Sequence, residues 1–98
     1  MFLVLITYVK PMEEVDRWLP AHQEFLDRQY ERGLFIVSGR RIPRVGGVIL
    51  VNFTNEAEVR RILSEDPFQV HQVADYNFIE FDPTRYDPRF AAFLEGAG

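Results

Sequence analysis

The sequence predicts an α+β fold in which two helices cover one face of a four-stranded antiparallel sheet. Four short runs rich in branched aliphatic and aromatic residues alternate with two segments whose apolar residues recur at helical spacing. The resulting order, β-α-β-β-α-β, is that of the split βαβ or ferredoxin-like fold. A chain of 98 residues suits one domain, and we assign residues 1–83 to it and residues 84–98 to a C-terminal tail.

Composition excludes several classes of function. The formal net charge of −4 leaves no general attraction for nucleic acid or for an anionic membrane surface. The absence of cysteine excludes disulfides, thiol catalysis and thiolate metal ligands. Two histidines are too few for a histidine-only metal site, and no other ligand spacing stands out. Carboxylates could add ligands to the two histidines, but we expect no metal site.

The first strand is predicted at residues 2–9, where both alternating faces are apolar. This run has no basic N-terminal flank and is much shorter than the roughly 20 residues of a membrane span. We interpret it as a strand rather than as a signal peptide or a transmembrane helix. A cytoplasmic location is the corresponding expectation.

An amphipathic helix is predicted to follow and to end in a glycine stop. Pro20 removes one intrahelical hydrogen bond, so we expect a kink or a helix restart there. Gly33 fits the position just after the last helical residue. The predicted inward face follows the 3, 4, 7 spacing of a helix and consists of Val15, Trp18, Leu19, His22, Phe25, Leu26 and Tyr30.

The remaining elements are shorter. Strands are expected at residues 34–37, 48–53 and 73–81, and the tail is expected to contain one short helix. Thr54 or Asn55 is predicted to cap the second helix, and Asp66-Pro67 opens a further short turn. The expected inward residues of the second helix are Ala57, Val59, Ile62 and Leu63.

The predicted sheet is apolar on both faces, although helices cover only one of them. An uncovered apolar face of that extent exceeds what a soluble monomer normally exposes. We therefore expect a homodimer in which the two sheets pack face to face.

His22 is the first candidate for chemistry, because a titratable imidazole interrupts the apolar face of the first helix. One interpretation is a core histidine whose ring nitrogens are satisfied locally. The other is a general acid or base that the helix presents to a cavity, since imidazole titrates near neutral pH.

Asp66 is the second candidate. Aspartate before proline is a common way to begin a helix, so a capping role explains the pair. A carboxylate beside an imidazole also orients the ring and stabilises its protonated form. The two roles are compatible because a carboxylate has two oxygens, but spacing alone does not bring Asp66 to His22.

Other polar residues have competing interpretations. Ser38 and Gly39 end the second strand, either as a simple turn or as a hydroxyl and a close backbone approach to a ligand. No G-x-S-x-G motif is present, which argues against a serine hydrolase. The arginine cluster either lies in a solvated loop without a partner or attracts an anionic ligand or the acidic surface of a partner. His71 is expected at the surface and Tyr8 at the sheet edge or in a pocket. The cluster consists of Arg40, Arg41 and Arg44.

The segments LPAHQEFLDRQYERGLFIVSG, PRVGG, EDPF and IEF, in this order and spacing, resemble the YCII-related family over residues 1 to about 83. The resemblance implies a ferredoxin-like domain that dimerises through its sheets, the dimeric α+β barrel arrangement. It also implies an active site formed by a His–Asp pair, which falls on His22 and Asp66. The SG dipeptide matches the family's S-G-P, except that Arg40 replaces the proline. The family's best-known activity is a dehydrochlorinase acting on a chlorinated hydroxyquinol, but nothing in this chain specifies a chlorinated substrate.

Three functional hypotheses follow. The leading one is a cofactor-free enzyme for a small molecule, of lyase, isomerase or dehydrohalogenase type, with proton transfer at His22 and orientation by Asp66. The second is a non-catalytic ligand-binding or interaction module in which His22 is structural. The third is a monooxygenase of the wider dimeric barrel superfamily. The predicted pocket lining for the first hypothesis is Ser38, Gly39, Arg41, Trp18 and Phe68.

Overall fold

The computed structural model of the chain describes residues 1–52 and 55–95, and its elements follow the predicted order. The strands are β1 (Phe2–Tyr8), β2 (Phe35–Arg40), β3 (Gly46–Val51) and β4 (Ala74–Glu80). The helices are α1 (Met12–Glu31), α2 (Glu56–Leu63), α3 (Pro67–Val70) and α4 (Ala91–Glu95), and a 3₁₀ turn, Pro88–Phe90, precedes α4. Within the described ranges, no helix is both long enough and apolar enough to cross a membrane.

The four strands form one antiparallel sheet in the order β2-β3-β1-β4. β3 lies between β1 and β2 and runs opposite to both, which is the strand arrangement of the split βαβ unit. In the two central strands, Val4 lies opposite Ile49, and on the other side of β1 it lies opposite Phe78. The predicted α+β, ferredoxin-like fold class is confirmed.

The core lies between the sheet and the two longer helices. Phe2 and Val4 of β1 point to the helices and are fully buried, as are Val15 of α1 and Val59 of α2. Burial of each large apolar side chain contributes about 1.5–3 kcal/mol to stability. This layer therefore holds α1 against the sheet and sets the position of every side chain on its inner face.

Helix α1 is continuous from Met12 to Glu31 with Pro20 inside it, so the expected restart at Pro20 is wrong. The predicted stop is confirmed, because Gly33 has a φ of +73°, a conformation that glycine adopts without a steric cost. The amide of Gly33 donates to the carbonyl of Tyr30, and the amide of Leu34 donates to the carbonyl of Gln29. These two bonds form a Schellman motif, which turns the chain directly into β2.

Asn55 caps the N-terminus of helix α2, because its side chain accepts a hydrogen bond from the backbone amide of Glu58. The alternative cap, Thr54, and the expected last residue of the third strand, Phe53, lie outside the described residues. Ala57 is exposed, so its predicted inward position is wrong: the inner stripe of this short helix is narrow. That stripe consists of Val59, Ile62 and Leu63.

The sheet face that the helices leave uncovered carries a row of apolar side chains. On β1, Leu3 and Leu5 point to this face and are half-buried. Their neighbours include Leu50 on β3 and Ile79 on β4, and Ile79 remains 41% exposed. Val37 on β2 is 57% exposed beside Leu50. The apolar row is as expected from the sequence, and the dimer inferred from it stays a prediction.

Candidate active site

His22 lies midway along α1, on its inner face, and is 8% exposed. Its Nδ1 lies 2.8 Å from Oδ1 of Asp66. The imidazole also stacks on the ring of Phe68, with the ring centroids 4.1 Å apart and the planes 9° from parallel. The ring is therefore held by a hydrogen bond in its plane and by an aromatic contact on its face.

Asp66 caps α3 and pairs with His22 at the same time. The residue is fully buried, and its Oδ1 accepts a second hydrogen bond from the backbone amide of Phe68 at 3.1 Å. Pro67 occupies the first helical position, as the sequence indicated. The cap fixes the carboxylate to the backbone of α3, so the carboxylate is a rigid partner for the imidazole.

Tyr76 completes the set of donors around this carboxylate. Its hydroxyl donates to Oδ2 of Asp66. Burial first, and then the charge of Asp66 and the hydrogen bond to it, raise the pKa of the Tyr76 hydroxyl well above its ordinary value. The phenol thus remains a donor at all ordinary pH values, and each oxygen of Asp66 has at least one partner.

The hydrogen-bond pattern assigns the tautomer of His22. A carboxylate has only acceptors, so Nδ1 carries the hydrogen that is donated to Asp66. In the described part of the chain, no hydrogen-bond partner is found for Nε2 of His22. Every fully buried side-chain nitrogen or oxygen in that part has a partner, so Nε2 is not one of the fully buried atoms. Nε2 is therefore the accessible nitrogen, and in the neutral ring it has a free lone pair.

His22 borders a cleft of about 360 Å³ between α1 and the sheet. The floor is built around Gly47, which lies opposite Ile6 on one side and Arg40 on the other. A Cβ at Gly47 would lie 3.2 Å from the carbonyl oxygen of Gly39 and 4.0 Å from Cδ1 of Ile6. The lining residues are Ile6, Tyr8, Leu19, His22, Gln23, Leu26, Ser38, Gly39, Arg40, Arg44, Gly46, Gly47, Val48 and Ile49.

Gly46, which precedes Gly47 in β3, must be a glycine for a different reason. A Cβ at Gly46 would lie 1.7 Å from the carbonyl oxygen of Ile6, which no side chain tolerates. The glycine pair therefore lets β3 approach β1 closely at Gly46 and leaves open floor at Gly47.

The predicted pocket residues are placed in three ways. Ser38 and Gly39 line the cleft, and the Ser38 hydroxyl lies 2.7 Å from that of Tyr30. Phe68 supports the face of the His22 ring without lining the cleft. Trp18 stacks on His71 instead, with the ring centroids 3.5 Å apart.

The arginine cluster is divided among different surroundings. Arg41 donates to the Thr7 hydroxyl at 2.9 Å and does not line the cleft. Arg44 lines the cleft and pairs with Asp16 of α1 at 2.7 Å, so it links the loop between β2 and β3 to the helix. Arg40 lines the cleft as well.

The family of the chain follows from its sequence over nearly the full length. A model of the YCII-related domain matches residues 1–82. The chain belongs to this family. No curated protein matches the chain significantly.

A solved structure supports the same fold. The YCII-related domain is similar to the 5-chloro-2-hydroxyhydroquinone dehydrochlorinase of Burkholderia phenoliruptrix AC1100, solved in complex with 2,5-dihydroxybenzoquinone. The TM-score is 0.65 over 84% of this chain and 94% of that one, at 15% sequence identity. At this identity the similarity concerns the fold.

The chemical capacity of this YCII-related domain lies in its imidazole. The described residues contain no cluster of three or more histidines and carboxylates that could hold a metal ion. They do hold one imidazole in a defined tautomer, with its unprotonated nitrogen accessible and a cleft beside it. Such an arrangement can accept a proton at Nε2 and return it.

Sequence reasoning missed Tyr76 as a partner of Asp66 and Gly47 as the cleft floor. A signal for Tyr76 was available, because strand alternation places it on the same face as buried Ala74. A signal for Gly47 was weaker: two adjacent glycines indicate a turn or a close approach, and only the register with β1 separates their roles.

Proposed function

We propose that this YCII-related domain is an enzyme that transfers a proton to and from a small molecule without a cofactor, by a lyase, isomerase or dehydrohalogenase reaction. His22 is the general base and acid, and Asp66 is its positioning residue. The observation that carries the proposal is the buried 2.8 Å hydrogen bond from His22 Nδ1 to Asp66, on a ring that borders a cleft. A purely structural histidine needs no cleft at its open edge.

The proposed reaction begins with a substrate C–H or O–H at Nε2 of His22. Nε2 accepts the proton, and Asp66 stabilises the imidazolium that forms. The electron pair left on the substrate then expels a leaving group or moves within the substrate. His22 can return the proton to another atom, which completes an isomerisation, or to solvent, which completes an elimination.

Covalent catalysis by Ser38 has less support than proton transfer. Its hydroxyl is hydrogen-bonded to Tyr30, and no bond joins it to His22 in the described part of the chain. A serine nucleophile needs such a bond to an adjacent base. We therefore assign Ser38 to substrate binding together with Gly39, since both line the cleft.

The solved relative is consistent with this reaction class. A dehydrochlorinase removes a proton and a chloride, so its name describes an elimination of the proposed type. That relationship supports the class of reaction and not the substrate.

We further propose that the working unit is a homodimer formed through the uncovered sheet faces. The apolar row on β1, β2, β3 and β4 supports this assembly, because water contact along the whole row is costly. The cytoplasmic location stays a prediction of the sequence.

Solvent exchange tests the proposed function without knowledge of the substrate. The protein is incubated in D₂O with a panel of small carbonyl and hydroxy acids and phenols, and deuterium incorporation is followed by mass spectrometry. We expect catalysed exchange in at least one compound and its loss, by about 10²–10⁴-fold, in His22→Gln. His71→Gln is the matched control, because His71 is exposed and lies outside the cleft. Exchange that is absent from the whole panel, or unchanged in His22→Gln, would refute the proposal.

A further inference from the structure

We propose that the cleft selects small organic anions, namely carboxylic acids with a compact apolar body, and that Arg40 is the residue that binds their charge. This inference names the substrate class of the proposed enzyme and rests on it for the role of His22. The anion-binding property itself requires no catalysis and can be measured separately.

The charge of the cleft is opposite to that of the protein. The chain has a formal net charge of −4. Among the residues that the structure describes, the cleft lining nevertheless includes Arg40 and Arg44 and no aspartate or glutamate. Arg44 is ion-paired with Asp16, so Arg40 supplies the uncompensated positive charge. Clefts lined by charge of one sign concentrate the field between their low-dielectric walls and attract ligands of the other sign.

Arg40 is the member of the arginine cluster whose donors are available. Arg41 is occupied by Thr7, and Arg44 is paired with Asp16. Arg40 has neither a side-chain hydrogen bond nor an ion pair with any residue in the two described ranges, 1–52 and 55–95. Its guanidinium therefore has five N–H donors that a ligand can use.

The strand register directs Arg40 to the same chamber as His22. Ile6, Gly47 and Arg40 form one cross-strand row, and Ile6 is buried on the helix side of the sheet. Gly47 has no side chain, so no side chain of this row lies between Ile6 and Arg40. A ligand on this bare floor can contact Arg40 at the strand end and His22 on the wall that α1 forms.

The chemistry of the lining favours a carboxylate with an apolar body. A planar guanidinium matches the two oxygens of a carboxylate, which a point charge does not. The walls away from Arg40 include Ile6, Leu19 and Leu26. A volume of about 360 Å³ lies at the lower end of the range for small-molecule sites. A single ring or a short branched chain with one carboxylate suits this space.

Benzoate and benzamide form a suitable probe pair, because they have the same shape and differ in charge. Each is titrated into the ¹⁵N-labelled protein, and the amide signals of Ser38, Gly39 and Gly47 are followed by NMR. We expect these signals to shift with benzoate at an affinity about tenfold or more above that for benzamide. The benzoate affinity should fall as NaCl is added, while the benzamide affinity should not.

Two arginine variants locate the charge. Arg40→Gln should weaken benzoate binding by about tenfold and leave benzamide unchanged. Arg85→Gln makes the same change of net charge at an exposed position outside the cleft and should leave both titrations unchanged. An amide spectrum of Arg40→Gln that matches the wild-type spectrum away from the substituted site shows that the fold is intact, as expected for a substitution at an exposed position.

The anion proposal is overturned if benzamide binds as tightly as benzoate, if neither binds in the cleft, or if Arg40→Gln binds benzoate like the wild type. Failure of the proposed function gives a different pattern. If benzoate binding depends on Arg40 but no compound exchanges deuterium, the anion site is supported and the proposed enzymatic function is refuted. If deuterium exchange depends on His22 but the cleft shows no preference for anions, the proposed enzymatic function is supported and the role of Arg40 is refuted.

Discussion

Asp66→Asn separates the charge of Asp66 from its hydrogen bonds. The carboxamide has nearly the same shape as the carboxylate, and its carbonyl oxygen can still accept the hydrogen bond from the amide of Phe68. The other oxygen is replaced by an NH₂ group, which only donates. Oδ1 of Asp66 accepts from both the Phe68 amide and His22 Nδ1–H, so a carbonyl oxygen that keeps the cap also keeps His22. The NH₂ group then takes the place of Oδ2 and faces the Tyr76 hydroxyl, which can rotate and accept from it.

His22 therefore keeps its hydrogen on Nδ1, but a neutral amide cannot stabilise the imidazolium that forms when Nε2 accepts a substrate proton. The rate of His22-dependent proton transfer should fall by about 10²–10⁴-fold. The free energy of unfolding should change less. Hydrogen bonds to charged groups contribute about 1.5–3 kcal/mol each, and bonds to the neutral amide replace them, so the net loss should be about 1–2 kcal/mol.

Asp66→Ala is the matched comparison, because it removes the cap as well. Loss of the cap costs about 1 kcal/mol, and two buried donors are left unpaired at about 1–3 kcal/mol each. We expect a total loss of about 3–7 kcal/mol of the free energy of unfolding, measured by urea denaturation. Equal losses in the alanine and asparagine variants would refute the separation of roles.

The tautomer of His22 provides the decisive measurement. Long-range ¹H–¹⁵N correlation spectra distinguish the protonated ring nitrogen from the unprotonated one. The hydrogen should be on Nδ1 in the wild type and in Asp66→Asn alike. If the hydrogen stays on Nδ1 in the variant and proton transfer continues at the wild-type rate, the charge of Asp66 does not contribute to proton transfer at His22.

Three further predictions concern the cleft, the buried tyrosine and the uncovered sheet face. Gly47→Val places a side chain on the cleft floor, where a Cβ already lies 3.2 Å from the Gly39 carbonyl oxygen, and benzoate binding measured by NMR should weaken by about tenfold or more. The folded state raises the pKa of Tyr76, so above about pH 10 the unfolded chain loses this proton while the folded chain keeps it. The wild type should therefore lose up to about 1.4 kcal/mol of unfolding free energy per pH unit between pH 10 and about pH 11.5, and Tyr76→Phe should lack that slope in urea denaturation. Leu5→Glu buries a charge between the paired sheets and should yield a monomer in sedimentation equilibrium, whereas Val70→Glu, on the exposed side of α3, should not. A slope that persists in Tyr76→Phe, cleft binding that survives in Gly47→Val, or a wild type that sediments as a monomer would contradict the respective predictions.

Local patterns predicted the elements well and their ends less well. The inner face of α1 follows from spacing, and Gly33 terminates the helix as expected, because both depend on residues close in sequence. β2 extends beyond the predicted run to Arg40, and β3 begins at Gly46 rather than at residue 48. These ends depend on hydrogen bonds between the strands, and composition does not reveal them.

The candidate site could be predicted only in part. The sequence marked His22 as anomalous on an apolar face and Asp66 as a helix cap, but their partnership came from resemblance to a family and not from spacing. Tyr76 joins them because β4 pairs with β1 and turns its phenol towards α3, which is a consequence of sheet topology. Trp18 was expected in the pocket and instead stacks on His71, because the whole inner face of a helix cannot open on one cavity.

The fold class, the amphipathic helix that carries His22 and the capping role of Asp66 can all be predicted from the order of the residues. These features depend on periodicity and on local hydrogen bonds, which act over a few residues. The 2.8 Å distance between the imidazole and that carboxylate, and the cleft that Arg40 and Gly47 share with the imidazole, are seen only in the folded molecule. Such contacts join residues far apart in the chain, and their distances are set by how the helices pack on the sheet and by the register of its strands.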